Sequence, residues 1–399
     1  MERGGGALGW AGRKEERRRG LGESVARGGG GWRWEEQEEV RGEAVHGGRG
    51  GCGEERLPCL AVEYRWTGTG NCATTSMFTV AGKKHQDQPI TVRTDSNELF
   101  NKCFCPTPQG WILVRDRQDV TDTYLLDPHT HHDQENNSYK TRSIALPPLL
   151  VDQDDLIHCT CLLSDKPNSP SCVLLVVEPY EPVIWYVNVK GDRCWTRHQY
   201  DLGVQGDEET SGLQHKILMS SAAACRGKFY FMTSPKDFGV LEFSPGPVFA
   251  SLAVDDGGYD PKESAKAFLV ESDEELYMVR QLHDRDYNEA VVYKMDRGRR
   301  QWRAARDLGG RAFFVGPFGF GASCLAGDLY RSDCVYSLVD PLDKRFRIFD
   351  VTDGTVEWLK IEEAWVYRFR DEHGMDPRQI MHRLVRRMAW MLPIDPKAA

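Results

Sequence analysis

The sequence predicts an all-β chain: a β-propeller of four-stranded blades, six or five plus a partial blade, with a disordered N-terminal tail and a C-terminal amphipathic helix. Three observations carry this. A skeleton of an aromatic, four residues, a glycine, three residues and a tryptophan occurs at Tyr186 to Trp195, Tyr293 to Trp302 and Phe349 to Trp358. With degenerate copies opening at Tyr124 and Leu241, the anchors lie 62, 55, 52 and 56 residues apart, a period in the range of propeller blades and solenoid arrays. Between anchors, short apolar runs broken by turn residues fall into groups of four, a period that a β-sandwich gives no reason for.

The glycine of each copy suits a hairpin turn, where a positive φ is needed and a side chain is penalised. With Arg297-Gly298 as a two-residue turn, Tyr293 stands opposite Trp302. The same register sets Tyr186 across from Trp195, and Phe349 across from Trp358 around Asp353-Gly354. An opposed aromatic pair contributes up to about 1 kcal/mol to a hairpin.

In chain order, residues 1–56 hold 17 glycines and about as many acidic as basic residues, without aliphatic periodicity. Such a segment buries too little apolar surface to offset its ordering entropy and is expected to be disordered. The Arg/Gly fragments Arg27–Gly31 and Gly47–Gly51 are read as part of a solvated tail, because acidic residues interleave them. Residues 57–366 are expected to form the propeller. Its opening strands are predicted at 59–64, 76–80 and 90–93, forming an incomplete blade that joins the last one and closes the ring.

Five units follow. The first is predicted at 102–105, 110–115, 123–126 and 143–146, the second at 157–163, 172–177, 184–189 and 194–199. The third is at 216–220, 228–232, 239–243 and 248–253, and the fourth at 267–270, 275–281, 290–295 and 301–305. The fifth is at 311–315, 334–339, 346–351 and 355–359. After Asp376-Pro377 the period changes: Ile380, Met381, Leu384, Val385, Met388, Met391 and Leu392 make one stripe, predicting an amphipathic helix within 371–392.

The net charge of −9 argues against a general nucleic-acid binder, whose phosphate contacts need a basic surface. No run of eighteen apolar residues appears, and the N-terminus lacks the apolar core of a secretory signal. The twelve cysteines are therefore read as buried thiols in a reducing compartment, and the location expected is cytoplasm and/or nucleus.

Several stretches carry a familial signature. Pro58–Tyr64 and Ser76–Val80 look like opening strands; Gly110–Val114, Leu125–Thr130 and Ile144–Leu149 like a first full blade; Ala312–Gly316, Asp333–Tyr336 and Ile348–Gly354 like a closing segment. In this order, over about residues 57–360, they make the chain similar to the plant KIB-type β-propeller domain family, also known as domain of unknown function 295. Many of that family's members are F-box proteins, whose helical F-box docks the Skp adaptor of a cullin–RING ubiquitin ligase. The propeller holds the substrate, in the best-known members a shaggy-like kinase. An F-box needs some forty residues of leucine- and tryptophan-studded helix, and residues 1–56 offer glycine and charge instead.

His129, His131, His132 and Asp133 fall in an apparent insertion between two strands, where nothing rigid fixes a coordination geometry. Cys103 and Cys105, like Cys159 and Cys161, point to one face of an innermost strand; structural zinc sites more often use two-residue spacers, so packing is the reading taken. Gly316-Pro-Phe-Gly-Phe-Gly321 follows a strand, but no helical pattern follows it, against a dinucleotide loop. Asp152, Asp154, Asp155, Asp255 and Asp256 sit in turn-like contexts rather than on the inner strands that propeller glycosidases use.

The resulting expectation is a non-enzymatic module without catalytic, cofactor or metal residues. It binds a protein client, a kinase among the candidates, through loops on one face of the ring, with adaptor docking doubtful. The alternatives are a propeller glycosidase or other hydrolase, and a scaffold acting through its C-terminal helix.

Overall fold

The computed structural model describes residues 59–65, 73–78, 92–93, 99, 101–133, 138–206, 214–234, 236–255, 265–282, 290–327, 330–338, 345–360 and 385–394. The chain divides into Met1–Gly51 and Cys52–Ala399, and every described residue belongs to the second unit. The expected disordered tail at 1–56 lies outside the described residues.

The chain is an all-β propeller. Its strands begin with β1 (Cys59–Arg65), β2 (Ala73–Phe78) and β3 (Val92–Arg93). The first blade is the antiparallel meander β4 (Lys102–Pro106), β5 (Ile112–Asp116), β6 (Thr123–Asp133) and β7 (Ser138–Ala145). After a one-turn helix α1 (Gln153–Leu156), the second is β8 (Thr160–Leu163), β9 (Val173–Val177), β10 (Val183–Asn188) and β11 (Thr196–Gln199). A ribbon of β12 (Val204–Gly206) and β13 (Gln214–Lys216) leads to the third: β14 (Ser221–Cys225), β15 (Lys228–Met232), β16 (Phe238–Phe243) and β17 (Pro247–Leu252). The fourth is β18 (Ala265–Ser272), β19 (Glu275–Leu282), β20 (Ala290–Asp296) and β21 (Gln301–Ala304).

The fifth blade departs from the four-strand plan. It contains β22 (Arg311–Val315), β23 (Gly321–Leu325), β24 (Cys334–Leu338), β25 (Arg345–Asp350) and β26 (Val356–Lys360), in the order β23-β22-β24-β25-β26. β22 runs parallel to β24, so it is an extra strand between the innermost position and the rest. The sixth sheet has the order β27-β1-β2-β3, with β27 (Val385–Met391) coming from the far end of the chain. Both chain ends therefore build one sheet, and the ring is closed by hydrogen bonding.

Side chains alternating along each strand fill the seams between neighbouring sheets. Leu113, Leu125, Ile157, Leu174 and Trp195 join the first and second blades. Leu162, Ile184, Phe229 and Leu241 join the second and third, and Ala223, Phe238, Leu269 and Met278 the third and fourth. Phe268, Val279, Phe313 and Val335 join the fourth and fifth. Phe314, Tyr336 and Trp390 join the fifth and sixth, with Trp390 Nε1 donating to Val315 O at 3.1 Å. Ala61, Phe104, Ile112 and Met391 return from the sixth to the first.

Four further expectations are corrected. Residues 385–391 are a strand, not part of a helix, while 371–384 lie outside the described residues. The consecutive apolar run Met388–Leu392 is what a strand buried on both faces requires: Met391 packs toward the first blade and Trp390 toward the fifth. The aromatic pairs are also out of register: Trp302 faces Met295, Trp358 faces Arg347, and Trp195 precedes β11. Four or more residues separate the paired strands, and Asp296, Asn188 and Asp350 cap these loops by accepting backbone N–H groups. In the third unit the innermost strand is Ser221–Cys225, not 216–220. Finally, His129, His131 and His132 lie within strand β6 rather than in an insertion.

Candidate docking face around the central channel

In a meander whose innermost strand is written first, one face of the ring carries both the connections between blades and the turns between each blade's second and third strands. The segments 146–159, 178–182, 217–220, 233–234 and 236–237 lie on this face. So does the β22–β23 connection, the very Gly316–Gly321 stretch that superficially resembles a phosphate loop. It forms a short 3-10 turn at Pro317–Gly319.

This connection reaches across the hub to two other blades. Thr160 Oγ1, at the start of β8, donates to Phe318 O at 2.8 Å. Ser221 Oγ, at the start of β14, donates to Gly319 O at 2.8 Å and accepts from Leu269 N at 2.9 Å. Gly319 adopts φ +73, and a Cβ there would meet Ser220 O at 2.1 Å. At Gly321 a Cβ would meet Leu269 O at 2.2 Å. These glycines permit close approach of the backbone.

Phe318 takes φ +58, a left-handed conformation that is strained for a bulky residue. Held there, its ring stays 38% exposed and lies 4.8 Å from the His158 ring, which is 6.0 Å from Tyr180. Tyr180, in the β9–β10 turn, is 61% exposed. Leu150, 69% exposed, sits between buried Leu149 and Val151 in the connection that leads to His158. The buried Arg115 Nη1 donates to Leu149 O at 2.9 Å and also to Val151 O, which fixes the backbone on both sides of Leu150. Leu150, Tyr180 and Phe318 are thus three large apolar side chains displayed to solvent, Leu150 and Phe318 by anchored backbone.

Beside Phe318 lies a cavity of about 330 Å³ lined by Ser220, Thr233, Ser234, Lys266, Phe268, the 316–319 turn and Leu338. Lys266 is the one charged residue in that lining among the described residues.

The other residues singled out in the sequence lie elsewhere. Cys103, Cys105, Cys159 and Cys161 are buried together in the seam between the first and second blades. Cys105 Sγ donates to Cys159 O at 3.0 Å, and Cys159 Sγ to Asp155 O at 3.4 Å, the behaviour of packed thiols. Burial pushes the Cys172 and Cys225 thiols up to about 11, which keeps them protonated and poorly nucleophilic near neutrality. Asp152 precedes α1 and Asp155 lies within it, and Asp255 bridges to Gln301 beside the fourth blade, its Oδ2 accepting Gln301 Nε2 at 3.1 Å. Asp256 lies outside the described residues. Sequence reasoning missed Leu150, His158, Tyr180, Phe318 and Lys266, because their grouping depends on loops joining across the ring.

No helix among the described residues is long and apolar enough to cross a membrane. The family model for the KIB1-4 beta-propeller matches residues 83–367. No curated protein matches the chain. Among solved structures, AofleA from Arthrobotrys oligospora is 11% identical, with 66% of this chain and 87% of that chain covered and a TM-score of 0.29. The dihydro-heme d1 dehydrogenase NirN is 10% identical, covering 75% and 53%, at 0.30. A putative 6-phosphogluconolactonase from Bacteroides uniformis is 14% identical, covering 61% and 68%, at 0.27.

Proposed function

Because the chain belongs to the KIB1-4 beta-propeller family, we propose that it is a non-enzymatic module that captures a protein client on the face displaying Leu150, Tyr180, His158 and Phe318. The observation that carries this reading is Phe318, kept exposed in a strained left-handed conformation while hydroxyls from two other blades hold its carbonyl and that of Gly319. Strain of this kind costs of order 1–3 kcal/mol and persists where surrounding structure over-determines it, a pattern that clusters at functional positions. Exposed aromatic anchors around a concavity are also what protein interfaces use as energetic centres. A rigid frame with variable loops allows recognition to change without refolding.

In its finer form, the reading is a substrate-recognition module related to F-box propeller receptors of ubiquitin ligases, acting in the cytoplasm and/or nucleus, with a kinase among the candidate clients. Residues 1–56 lack F-box character, so the client site is proposed without a Skp-type adaptor contact of its own. The test is affinity recovery from cells with the full chain, a Tyr180→Ala/Phe318→Ala double variant and a Val248→Ala control on β17. Clients lost from the double variant and retained by the control support the reading; the same proteins recovered with all three overturn it. Stoichiometric recovery of a Skp-type adaptor overturns the adaptor-free form.

A further inference from the structure

The seam between the fourth and fifth blades changes character along its length. Phe268, Val279, Val335 and Phe349 are apolar neighbours in it. Two residues along each strand, on the same faces, come Lys266, Gln281, Ser337 and Arg347. Lys266 pairs across the ladder with Gln281, and Ser337 with Arg347. Gln281 Nε2 donates to Ser337 Oγ across the seam, tying the two blades. This polar end opens at the cavity, whose lining includes both Lys266 and Leu338, the residue after Ser337.

Among the described residues two cations therefore stand on this seam without a matching anion, Lys266 exposed and Arg347 buried. Arg347 is 1% exposed, and Nε, Nη1 and Nη2 are all buried without a hydrogen-bond partner. Burial alone pushes its guanidinium down to about 10, so it remains charged near neutrality. Among the described residues neither Arg347 nor Lys266 forms an ion pair. An uncompensated buried guanidinium is costly, and its field is weakly screened where water is scarce. The concavity at Lys266, which Gln281 and Ser337 separate from Arg347 along the ladder, is where an anion would meet this positive field. At about 330 Å³ it sits near the bottom of the range of roughly 300–1,000 Å³ found for ligand pockets, so it suits one side chain better than a cofactor.

We propose that this cavity takes an oxyanion, the carboxylate or phosphoryl group of a client side chain, with Lys266 as its counter-ion and Arg347 reinforcing the positive potential behind it. The proposal rests on the client-capture reading above and adds the chemistry of what is captured: an acidic or phosphorylated residue beside apolar ones that meet Phe318 and Tyr180.

The test titrates the full chain, labelled with 15N-glycine, with inorganic phosphate and separately with acetate, using chloride at matched ionic strength as control. The expected result is saturable shifts of the Gly316 and Gly319 amides, with at least tenfold weaker apparent affinity in Lys266→Met. Saturation by both probes identifies a general oxyanion site, and saturation by phosphate alone a phosphoryl site. Shifts that follow chloride equally, or persist unchanged in Lys266→Met, overturn the proposal. Arg347→Met is expected to weaken phosphate binding, and Arg347→Lys to restore it where the neutral variant does not fold. Failure here with client capture still dependent on Tyr180 and Phe318 removes the oxyanion chemistry alone; loss of that dependence removes the docking face.

Discussion

Thr160 opens the second blade and Phe318 belongs to the fifth, yet the Thr160 hydroxyl donates to the Phe318 carbonyl at 2.8 Å across 158 positions of sequence. With Ser221 holding Gly319 O, the bond anchors the β22–β23 connection over the hub. Gly319 is the pivot, since its φ of +73 and the 2.1 Å approach of a hypothetical Cβ to Ser220 O leave no room for a side chain. Gly319→Ala is expected to destabilise the fold by about 2 kcal/mol or more, combining left-handed strain with a backbone clash. Thr160→Val removes one bond and is expected to cost about 1 kcal/mol. Urea denaturation of both variants checks the order.

Ring closure concentrates on one indole. Trp390 is buried, packs edge-on against Phe314 and donates to Val315 O, so it joins β27 to the fifth blade. Trp390→Ala is expected to cost about 3–5 kcal/mol, the range for truncating a large buried aromatic. Trp390→Phe keeps most of the packing but leaves the Val315 carbonyl without this donor, and is expected to cost clearly less. Thermal unfolding that ranked the two equally would show that closure does not depend on this side chain.

Arg115 controls how Leu150 is presented. Its guanidinium is buried and bonds the carbonyls on either side of Leu150. Arg115→Met frees both carbonyls and is expected to cost about 1–3 kcal/mol in stability. Client recovery is expected to fall as well, whereas Leu150→Ala lowers recovery while leaving stability within about 0.5 kcal/mol, as suits an exposed position. Comparing the two variants at a temperature where both are folded separates presentation from contact.

Most of the strand order was legible because middle strands such as 228–232 and 290–296 are rich in aromatic and β-branched residues. The innermost strands Ser221–Cys225 and Gly321–Leu325 were not, because crowding at the hub selects Ala, Ser and Gly, residues of low strand propensity. Hairpin register failed for a different reason. The glycine suggests a tight turn, but at the fourth blade Arg300 takes the left-handed conformation at φ +51, and Asp296 caps the loop. The Asn or Asp at each strand end was a readable signal for a longer loop. Nothing local marked Phe318, because its role depends on Thr160 and Ser221.

The same Asx chemistry gives the fifth blade a pH dependence. Burial alone would raise the Asp350 carboxyl, but the hydroxyl and backbone N–H of Thr352 and the N–H of Asp353 outweigh it and hold its pKa below the ordinary value. A carboxylate depressed in the folded state stabilises the fold fully above its unfolded pKa of about 4. That contribution disappears as pH falls through the lower folded value. Asp350→Asn keeps an oxygen acceptor for Thr352 without the titrating charge. The wild type is therefore expected to exceed Asp350→Asn in stability by more at about pH 6 than at about pH 2.5, with the gap closing below about pH 4. A gap that stayed constant across this range in urea titrations would mean that Asp350 acts through shape alone, and a gap that widened on acidification would reverse the sign of the linkage.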